Sequence, residues 1–430
     1  MSQTLTLAAL QAAVSGGAAA FRSSIRLQPA GGPGDKVFPP TYTKEGKATT
    51  KYAMERRVID GQKVDTVLLD SVASQANRME EALLEGFRRG QLNSFPLIEI
   101  DFSGYEDLRD LDRLTSLQTP HRIADALLRD STDDAGVPFR QTRPGREFTD
   151  SSPKNATGMY TWCPTALVFG CWDSTGPKGG MGSKFQRSLV SEIVGVNVET
   201  GVKTASRLDP AGIEKKAGTI YTSKDDRSDW TPDIKAAAME KGKPALFSRS
   251  GEDGKDKERG TPAGINHGNI PPSVDTEAGG ITMEYAMHTV VLSLASLRRL
   301  RFVTTSEGST IPADRRLQAE DAARSALAAL SLAAVVYQYE QGYDLRSRAL
   351  LVAQSSLQLE LISHDGSEPA TFTLNREQAA RLLRETAAHA ASFGLTWDAT
   401  PVVLKPAPKL AQLIQLSRSV AASGATEEGA

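Results

Sequence analysis

Cysteine, histidine and net charge are all scarce in this sequence. Its 430 residues include two cysteines, Cys163 and Cys171, and five histidines, and the formal net charge is −2. Two cysteines cannot build a disulfide framework, and their spacing fits no zinc pattern, so we interpret both as small core residues of a cytoplasmic protein. The histidines form no metal-spaced pair. The sequence therefore indicates neither a disulfide-rich secreted fold nor a metal site.

Long apolar runs are also missing. The longest, Ala326–Tyr337, is shorter than the roughly 20 residues that a bilayer-spanning helix needs. The segment Leu5–Ala20 is rich in Ala and Leu, but no Lys or Arg precedes it, and the first positively charged side chain is Arg22. Because a secretory signal needs a basic segment before its apolar run, a short N-terminal helix that starts near Ser2 or Thr4 is the simpler interpretation. We expect a cytoplasmic protein with no membrane partner.

The composition is also not strongly basic. Hydrophobic residues make up 40% and charged residues 24% of the chain, as is typical of a globular protein with a real core. A nucleic-acid coat that binds by charge alone would be much more basic. Any nucleic-acid function must therefore depend on local clusters. The length suits two or three domains or one elaborated domain.

Helical and strand patterns alternate along the chain, which favours an α/β or α+β fold. We predict strands at Phe21–Leu27, Val64–Leu69, Phe95–Phe102, Thr165–Trp172, Ile281–Ser293 and Leu350–Ile362. We predict helical segments at Ser71–Arg89, Asp107–Ser116, Pro120–Asp130, Ser183–Ile193, Leu317–Gln341 and Arg376–Ala390. From Asp209 to Gly280 the pattern decays, and so long an irregular stretch is either functional or mobile.

The first candidate site is the start of the helix that follows Val64–Leu69. Helix N-termini present unpaired N–H groups and a partial positive charge, which suit phosphate oxygens. Gln75 and Arg78 lie three residues apart and share a helix face, so Arg78 could neutralise a phosphate while Gln75 binds sugar or base. The alternative is a solvated polar face with an Arg78–Glu81 ion pair.

The second candidate is the glycine-rich segment Gly170–Arg187. A strand, a glycine turn and a helix form a common phosphate-cradling layout. The segment is not a Walker A loop, because Met181 and Gly182 stand where that motif has glycine and lysine, and it lacks the third glycine of a dinucleotide fingerprint. The candidate phosphate contacts are Lys178, Gly179, Gly180, Lys184 and Arg187. A tight turn with surface lysines is the alternative.

The third candidate is the first strand and its following loop. Arg22 and Arg26 lie an even number of residues apart, so they point to one face of a strand. Residues 36–57 carry the clearest local excess of positive charge, with Tyr42 and Tyr52 available for base stacking. The candidate contacts are Arg22, Arg26, Gln28 and Lys36. Because charged loops are usually only solvent-facing, this pattern is weak by itself.

Catalytic patterns are not evident. No Gly-x-Ser-x-Gly elbow occurs in the sequence. The acidic pairs Asp133-Asp134 and Asp225-Asp226 could bind Mg²⁺, but adjacent acids in polar loops are commonly just solvated. We expect a protein that is not an enzyme and needs no cofactor. A nucleotide- or phosphate-dependent metabolic enzyme is an alternative that depends on the glycine loop alone.

Four stretches together resemble the RAMP-superfamily backbone subunit of the type I-G (formerly I-U) CRISPR effector. They are Arg26–Lys36, Val67–Leu83, Gly170–Gly195 and Leu292–Phe302. The order of the four is specific, whereas the glycine loop alone is not. Ser74–Arg78 is also similar to a Ser-Gln helix start ending in Lys-Arg that contacts the guide RNA in other Cascade backbone subunits. Asn77 stands at the lysine position, so that contact would be neutral here, and Ser74 and Asn77 join the candidate contacts.

The resemblance implies an α+β fold with an RRM-like (ferredoxin-like) palm and large helical and β-hairpin insertions. The whole chain, 1–430, would be one elaborated RAMP domain, with 209–280 as a thumb or fingers insertion and His267 as an RNA-facing residue in it. Several copies would polymerise along the CRISPR RNA (crRNA) and present its spacer to target DNA as an R-loop. The implied partners also include the large subunit, the small subunit, a fused guide-processing cap subunit and a helicase-nuclease recruited in trans.

The main alternative within this superfamily is an endoribonuclease that processes precursor crRNA. Such an enzyme needs a general acid or base near the scissile phosphate. His267 and His288 are the candidates that the sequence offers for that role.

Overall fold

Long strands and long helices alternate in the computed structural model, which describes residues 3–44, 46, 48–178, 182–214, 217–248 and 258–422. The chain divides into two units, Met1–Thr200 with Gly280–Leu410, and Gly201–Gly279 with Ala411–Ala430. The predicted insertion 209–280 lies in the second unit except for its last residue, and its role as thumb or fingers stays a prediction.

The strands and helices have the following bounds. The strands are β1 Gln3–Thr4, β2 Ala18–Pro29, β3 Met54–Ile59, β4 Gln62–Asp70, β5 Ile98–Asp101, β6 Arg113–Thr115, β7 Ser131–Thr132, β8 Cys171–Trp172, β9 Lys184–Phe185, β10 Leu189–Thr200, β11 Lys203–Arg207, β12 Tyr221–Thr222, β13 Trp230–Thr231, β14 Met239–Glu240, β15 Lys243–Pro244, β16 Ile270–Asp275, β17 Ile281–Ser293, β18 Tyr343–Asp344, β19 Leu350–Ala353, β20 Leu359–Ser363, β21 Ala370–Thr373 and β22 Val402–Pro406. The α-helices are α1 Leu7–Ser15, α2 Val72–Arg88, α3 Ala126–Arg129, α4 Arg143–Asp150, α5 Thr157–Trp162, α6 Pro164–Phe169, α7 Leu294–Leu297, α8 Ala313–Gln341, α9 Arg376–Ala391 and α10 Pro408–Ala422. Short 3₁₀ helices cover Glu106–Leu111, Arg122–Ala124, Phe139–Gln141, Ile234–Ala236 and Pro262–Ile265.

The main sheet belongs to the first unit and has the order β1-β21-β20-β2-β17-β10-β4-β3, with β19 also paired to β2. The central strands β2, β17, β10 and β4 are antiparallel. In β2, Phe21, Ile25 and Leu27 are buried, whereas Arg22 and Arg26 are exposed. This alternation gives the sheet one apolar face and one open face.

Helices cover the apolar face, and α8 is the most deeply buried of them. Nearly all of its residues from Ala319 to Gln338 are buried, and it packs against α2, α9 and α1. Its many alanines allow neighbouring helices to approach closely, since a methyl side chain adds little bulk. A smaller sheet with the order β6-β5-β22-β7 lies in the same unit.

The second unit is built from short antiparallel pairs. Strand β11 pairs with β16, and most of their residues are exposed. Strand β12 pairs with β13, and β14 pairs with β15.

Most of the predicted long elements are confirmed, and so is the α+β class. The predictions at Ser71–Arg89, Leu317–Gln341 and Arg376–Ala390 correspond to α2, α8 and α9, and Ile281–Ser293 is β17. Strands also form at the predicted places β2, β4 and β5. The RRM-like form of the palm stays a prediction.

Two predictions were wrong, and three others hold only in part. Thr165–Trp172 is largely helix α6, because Pro164 starts a helical turn and a fully buried apolar run has no period that distinguishes helix from strand. Ser183–Ile193 is not a helix, since Lys184 and Phe185 form β9 and the chain then enters β10. Leu350–Ile362 is two strands, β19 and β20, which pair with opposite ends of β2. Segments Asp107–Ser116 and Pro120–Asp130 contain only short helical turns.

Candidate functional site

A buried carboxylate organises the start of α2. Asp70, the last residue of β4, is 1% exposed. It accepts hydrogen bonds from Ser74 Oγ at 2.7 Å, Gln75 Nε2 at 2.6 Å and Arg78 Nε at 2.9 Å. Ser71 caps the helix by accepting from the Ser74 N–H at 3.2 Å. Because positions three and four apart share a helix face, the polar side chains of this first turn converge on one anion.

The same network continues into the centre of the sheet. Ser191 Oγ donates to Gln75 Oε1 at 3.0 Å and lies 2.9 Å from His288 Nε2. Since that hydroxyl has a single proton, we assign the His288 proton to Nε2, and Nδ1 then accepts from the Tyr343 hydroxyl at 3.0 Å. His288 is fully buried, and burial lowers the pKa of its imidazole to about 4 against the opposing effect of Asp70.

The predicted RNA-facing residues of α2 are therefore mostly occupied inside the protein. Gln75 is fully buried, and the Arg78 guanidinium also donates to the carbonyl oxygens of Asp344 and Leu345. The ion-pair partner of Arg78 is Asp70, not Glu81. Asn77 is exposed. The polar pattern that predicted phosphate contacts thus anchors α2 to the sheet.

The glycine-rich segment is a β-hairpin and not a loop before a helix. Strand β8 pairs with β9, with Trp172 opposite Lys184. Ser183 is buried, and its hydroxyl oxygen lies 2.7 and 2.8 Å from the carbonyl oxygens of Phe148 and Ser151, which share its single proton. The predicted helix start at Ser183 is therefore wrong, because Lys184 and Phe185 form strand β9 and pair with β8. Gly179 and Gly180 lie outside the described residues.

A groove of about 1090 Å³ opens between this hairpin, the start of α2 and the segments before α3 and after α7. It brings together Lys184 and Arg187 from the second sequence motif and Ala73 from the first. The charged side chains that line it are all basic, and no aspartate or glutamate is found among its described lining residues. These basic residues are Arg122, Arg129, Lys184, Arg187 and Arg299.

A buried ion pair supports the floor of the groove. Arg122 Nε and Nη2 each donate to a Glu80 carboxylate oxygen at 2.7 Å, and Arg122 Nη1 donates to the Gly170 carbonyl at 3.0 Å. Burial raises the pKa of Glu80 to about 7, although Arg122 opposes the shift. Arg122 adopts φ +53°, a backbone conformation that is uncommon for residues other than glycine. The contacts of its side chain fix helix α2 and the hairpin to each other.

The remaining cations of the groove differ in how they are held. Arg129 is paired with Asp130 at 2.9 Å. Arg187 is exposed and donates through Nε to the Phe169 carbonyl at 3.1 Å. Among the described residues, Lys184, Arg187 and Arg299 form no ion pair, although Arg187 lies close enough to Glu80 to act against the rise in the pKa of that carboxyl. Their charge is therefore largely available to an anion in the groove. Arg299 and Arg129 were missed by the sequence reasoning, because each lies in its own segment with no local pattern.

The candidates from the first strand lie elsewhere. Arg22 and Arg26 do share the exposed face of β2, but Arg22 is paired with Glu360 at 2.7 Å and Arg26 stacks on the Tyr285 ring at 4.1 Å. Gln28 Oε1 accepts from Gln354 Nε2 at 3.3 Å. Lys36 is partly buried, in the loop that follows β2. None of these four lines the groove.

Two further candidates have local partners. Lys178 is exposed and donates to Asp150 Oδ1 at 2.7 Å. In the second unit, His267 is about half exposed, with Nδ1 3.5 Å from Asp209 Oδ2. Its ring also lies 6.3 Å from that of Trp230, measured between ring centroids.

In the part of the chain that the structure describes, no three His, Cys, Asp or Glu side chains group as metal ligands would. None of the described helices combines the length and the apolar character that crossing a membrane requires.

Comparison with known protein families gives a match to part of the chain. Residues 21–200 match the family model described as CRISPR-associated protein GSU0053 (Cas_GSU0053). The matched region runs from β2 to the end of β10 and contains α2 and the hairpin. It indicates a CRISPR-associated protein family. A search of curated proteins found no match for the chain.

Proposed function

We propose that the chain is a non-catalytic backbone subunit of a type I CRISPR (Cascade) effector, of the type I-G RAMP-superfamily kind, that binds crRNA along its sugar-phosphate strand. The groove carries this proposal, because its charged lining is basic throughout the described residues and a polyanion suits it. The match of residues 21–200 to a CRISPR-associated family supports it.

The groove explains how a protein with a net charge of −2 binds nucleic acid. Lys184, Arg187 and Arg299 supply positive charge at one place, while acids elsewhere are paired or solvated. Contacts to phosphate fix a strand without reading its sequence. A subunit that serves many spacers needs such contacts, since the guide bases must remain free to pair with target DNA.

The wider assembly follows from the same proposal. Copies of the chain would line the guide with RRM-like palms, and the segment 209–280 would act as thumb or fingers. The other proposed partners are target DNA in the R-loop, the large and small subunits, the guide-processing cap subunit and the helicase-nuclease.

The first test is recovery of the guide. The chain is co-expressed with its partner subunits and a CRISPR array, and nucleic acid is extracted from the purified complex. We expect crRNA of one discrete length. A complex that assembles fully and holds no RNA would refute the proposal.

A second test determines whether the RNA binds in the groove. Lys184→Ala and Arg187→Ala should weaken binding to a similar degree for all spacer sequences. Each lost phosphate contact should flatten the dependence of log K on log salt concentration by about 0.7. The matched control is Arg381→Ala on α9, an exposed arginine paired with Glu377 at 3.0 Å, which should leave the slope unchanged. A loss confined to particular spacers would contradict sequence-blind binding.

The endoribonuclease alternative retains one of its two histidines. His288 is fully buried and cannot reach a scissile phosphate. His267 is exposed beside Asp209, an arrangement that could orient an imidazole for proton transfer. Incubating the chain with precursor crRNA distinguishes the two functions: cleavage that His267→Ala abolishes would favour the enzyme.

A further inference from the structure

Among the described residues, Trp172 is the most exposed tryptophan, with 55% of its surface accessible to solvent. The hairpin dictates this orientation. Cys171 and Phe185 face each other across the strands and are buried, so their neighbours Trp172 and Lys184 must point outward. The exposed indole is therefore a consequence of strand register and not of a poorly packed loop.

Lys184 sits over one side of this indole. Its Nζ lies 4.9 Å from the centroid of the Trp172 ring, which is the geometry of a cation–π contact. The two residues are directly opposed in the hairpin, so the contact is a cross-strand pair that holds the ring in place. A ring held on one side and still more than half exposed has a flat apolar surface open to the groove.

We propose that a nucleobase of the bound single strand stacks on the open face of Trp172, next to the phosphate contacts of Lys184, Arg187 and Arg299. This subsite rests on the proposed function and adds base stacking to it. The charge of the lining selects a polyanion, and a flat indole between cations suits the alternation of bases and phosphates along a single strand. Every base has a π-face, so stacking is compatible with sequence-independent binding.

The test compares two ligands and three variants of the full-length chain. The ligands are a single-stranded oligoadenylate and an abasic ribose-phosphate oligomer of equal length, at one ionic strength. The variants are Trp172→Ala, Trp172→Phe and, as a control, Leu317→Ala, which removes an apolar side chain on α8 that is 67% exposed and does not line the groove. Circular dichroism checks that each variant is folded.

The wild type should bind the oligoadenylate about 5- to 150-fold more tightly than the abasic oligomer, the range for one stacked base. Trp172→Ala should lose most of this preference, whereas Trp172→Phe and Leu317→Ala should keep it. The tryptophan fluorescence of the wild type should also be quenched by the oligoadenylate, and less so in Trp172→Ala.

Two outcomes overturn the proposal. If Trp172→Ala keeps the full preference for bases while Lys184→Ala weakens both ligands, the strand binds through phosphates alone and only the stacking subsite fails. If Trp172→Ala binds RNA normally but no longer assembles with its partner subunits, the indole is a protein contact. A wild-type complex without RNA would instead refute the proposed function itself.

Discussion

Replacing Asp70 by asparagine tests the network that fixes α2 to the sheet. The substitution keeps the size of the side chain but removes its charge, and it turns one acceptor oxygen into a donor. Arg78 then loses its ion-pair partner, and Arg346, whose Nη2 lies 3.6 Å from Asp70 Oδ1, loses a nearby opposite charge. Gln75 Nε2 and Ser74 Oγ compete for the one acceptor that remains.

The expected loss of stability follows from this geometry. Breaking a buried ion pair by removing one partner typically costs 3–5 kcal/mol. Because the Arg78 side chain is 26% exposed and can turn partly to water, we expect the lower end, about 3 kcal/mol in the free energy of unfolding. Urea denaturation followed by circular dichroism measures it as a shift of the midpoint, provided the slope is unchanged.

Asp65 on the same strand provides the control. It pairs with Arg56 at 2.8 Å, but both side chains are more than half exposed, and such surface pairs contribute little. Asp65→Asn should therefore denature together with the wild type. If Asp70→Asn denatured with them as well, the network would not support α2. If Asp70→Asn and Arg78→Ala also abolished RNA binding in fully stable proteins, the earlier prediction of a guide contact at Arg78 would be correct.

Two further predictions concern the core and the groove. The pKa of His288 is lowered to about 4 in the folded protein, so between pH 6.5 and pH 4 the unfolded chain binds more protons than the folded one. The free energy of unfolding should therefore fall by about 3 kcal/mol as the pH drops from about 6.5 to 4. The denaturation midpoints of His288→Gln should lack this pH dependence. Gly170 has φ +88° and ψ 154°, a region that is essentially glycine-only, and an added Cβ would lie 2.9 Å from Arg187 Cγ. Gly170→Ala should lower the free energy of unfolding by about 1–3 kcal/mol and weaken RNA binding. Gly104→Ala, where a Cβ meets open space, should change neither. Equal thermal midpoints for the two variants would contradict this prediction.

The buried ion pair below the groove links stability to the proposed function. Glu80 lies on α2 and Arg122 in the segment before α3, while Gly170 precedes the hairpin. One guanidinium therefore joins three of the segments that surround the groove. The shape of the proposed RNA surface depends on this contact even though Glu80 itself does not face the groove.

Local sequence patterns predicted the elements whose form depends on neighbouring residues. Ser71, a residue type that favours the N-cap position, caps α2. The alternation in β2 places Arg22 and Arg26 on one exposed face, and β17 has the predicted bounds. Capping, period-two alternation and helical periodicity act over a few residues, so they can be read from a single sequence.

The functions of individual side chains were decided by partners far away in the chain. The spacing of Gln75 and Arg78 predicted a phosphate site. In the structure, however, Gln75 is buried in the core, where it accepts a hydrogen bond from Ser191, 116 residues away in the chain. Trp172 and Lys184 form an exposed pair only because β8 and β9 form a hairpin. Arg299, which follows α7, lines the same groove. The sequence by itself determined the long elements with a clear period, such as α2, α8, α9 and β17, because those preferences are local. Only the tertiary structure decided which cations remain free to bind an anion, because each charge is neutralised or left available by residues that the fold brings beside it.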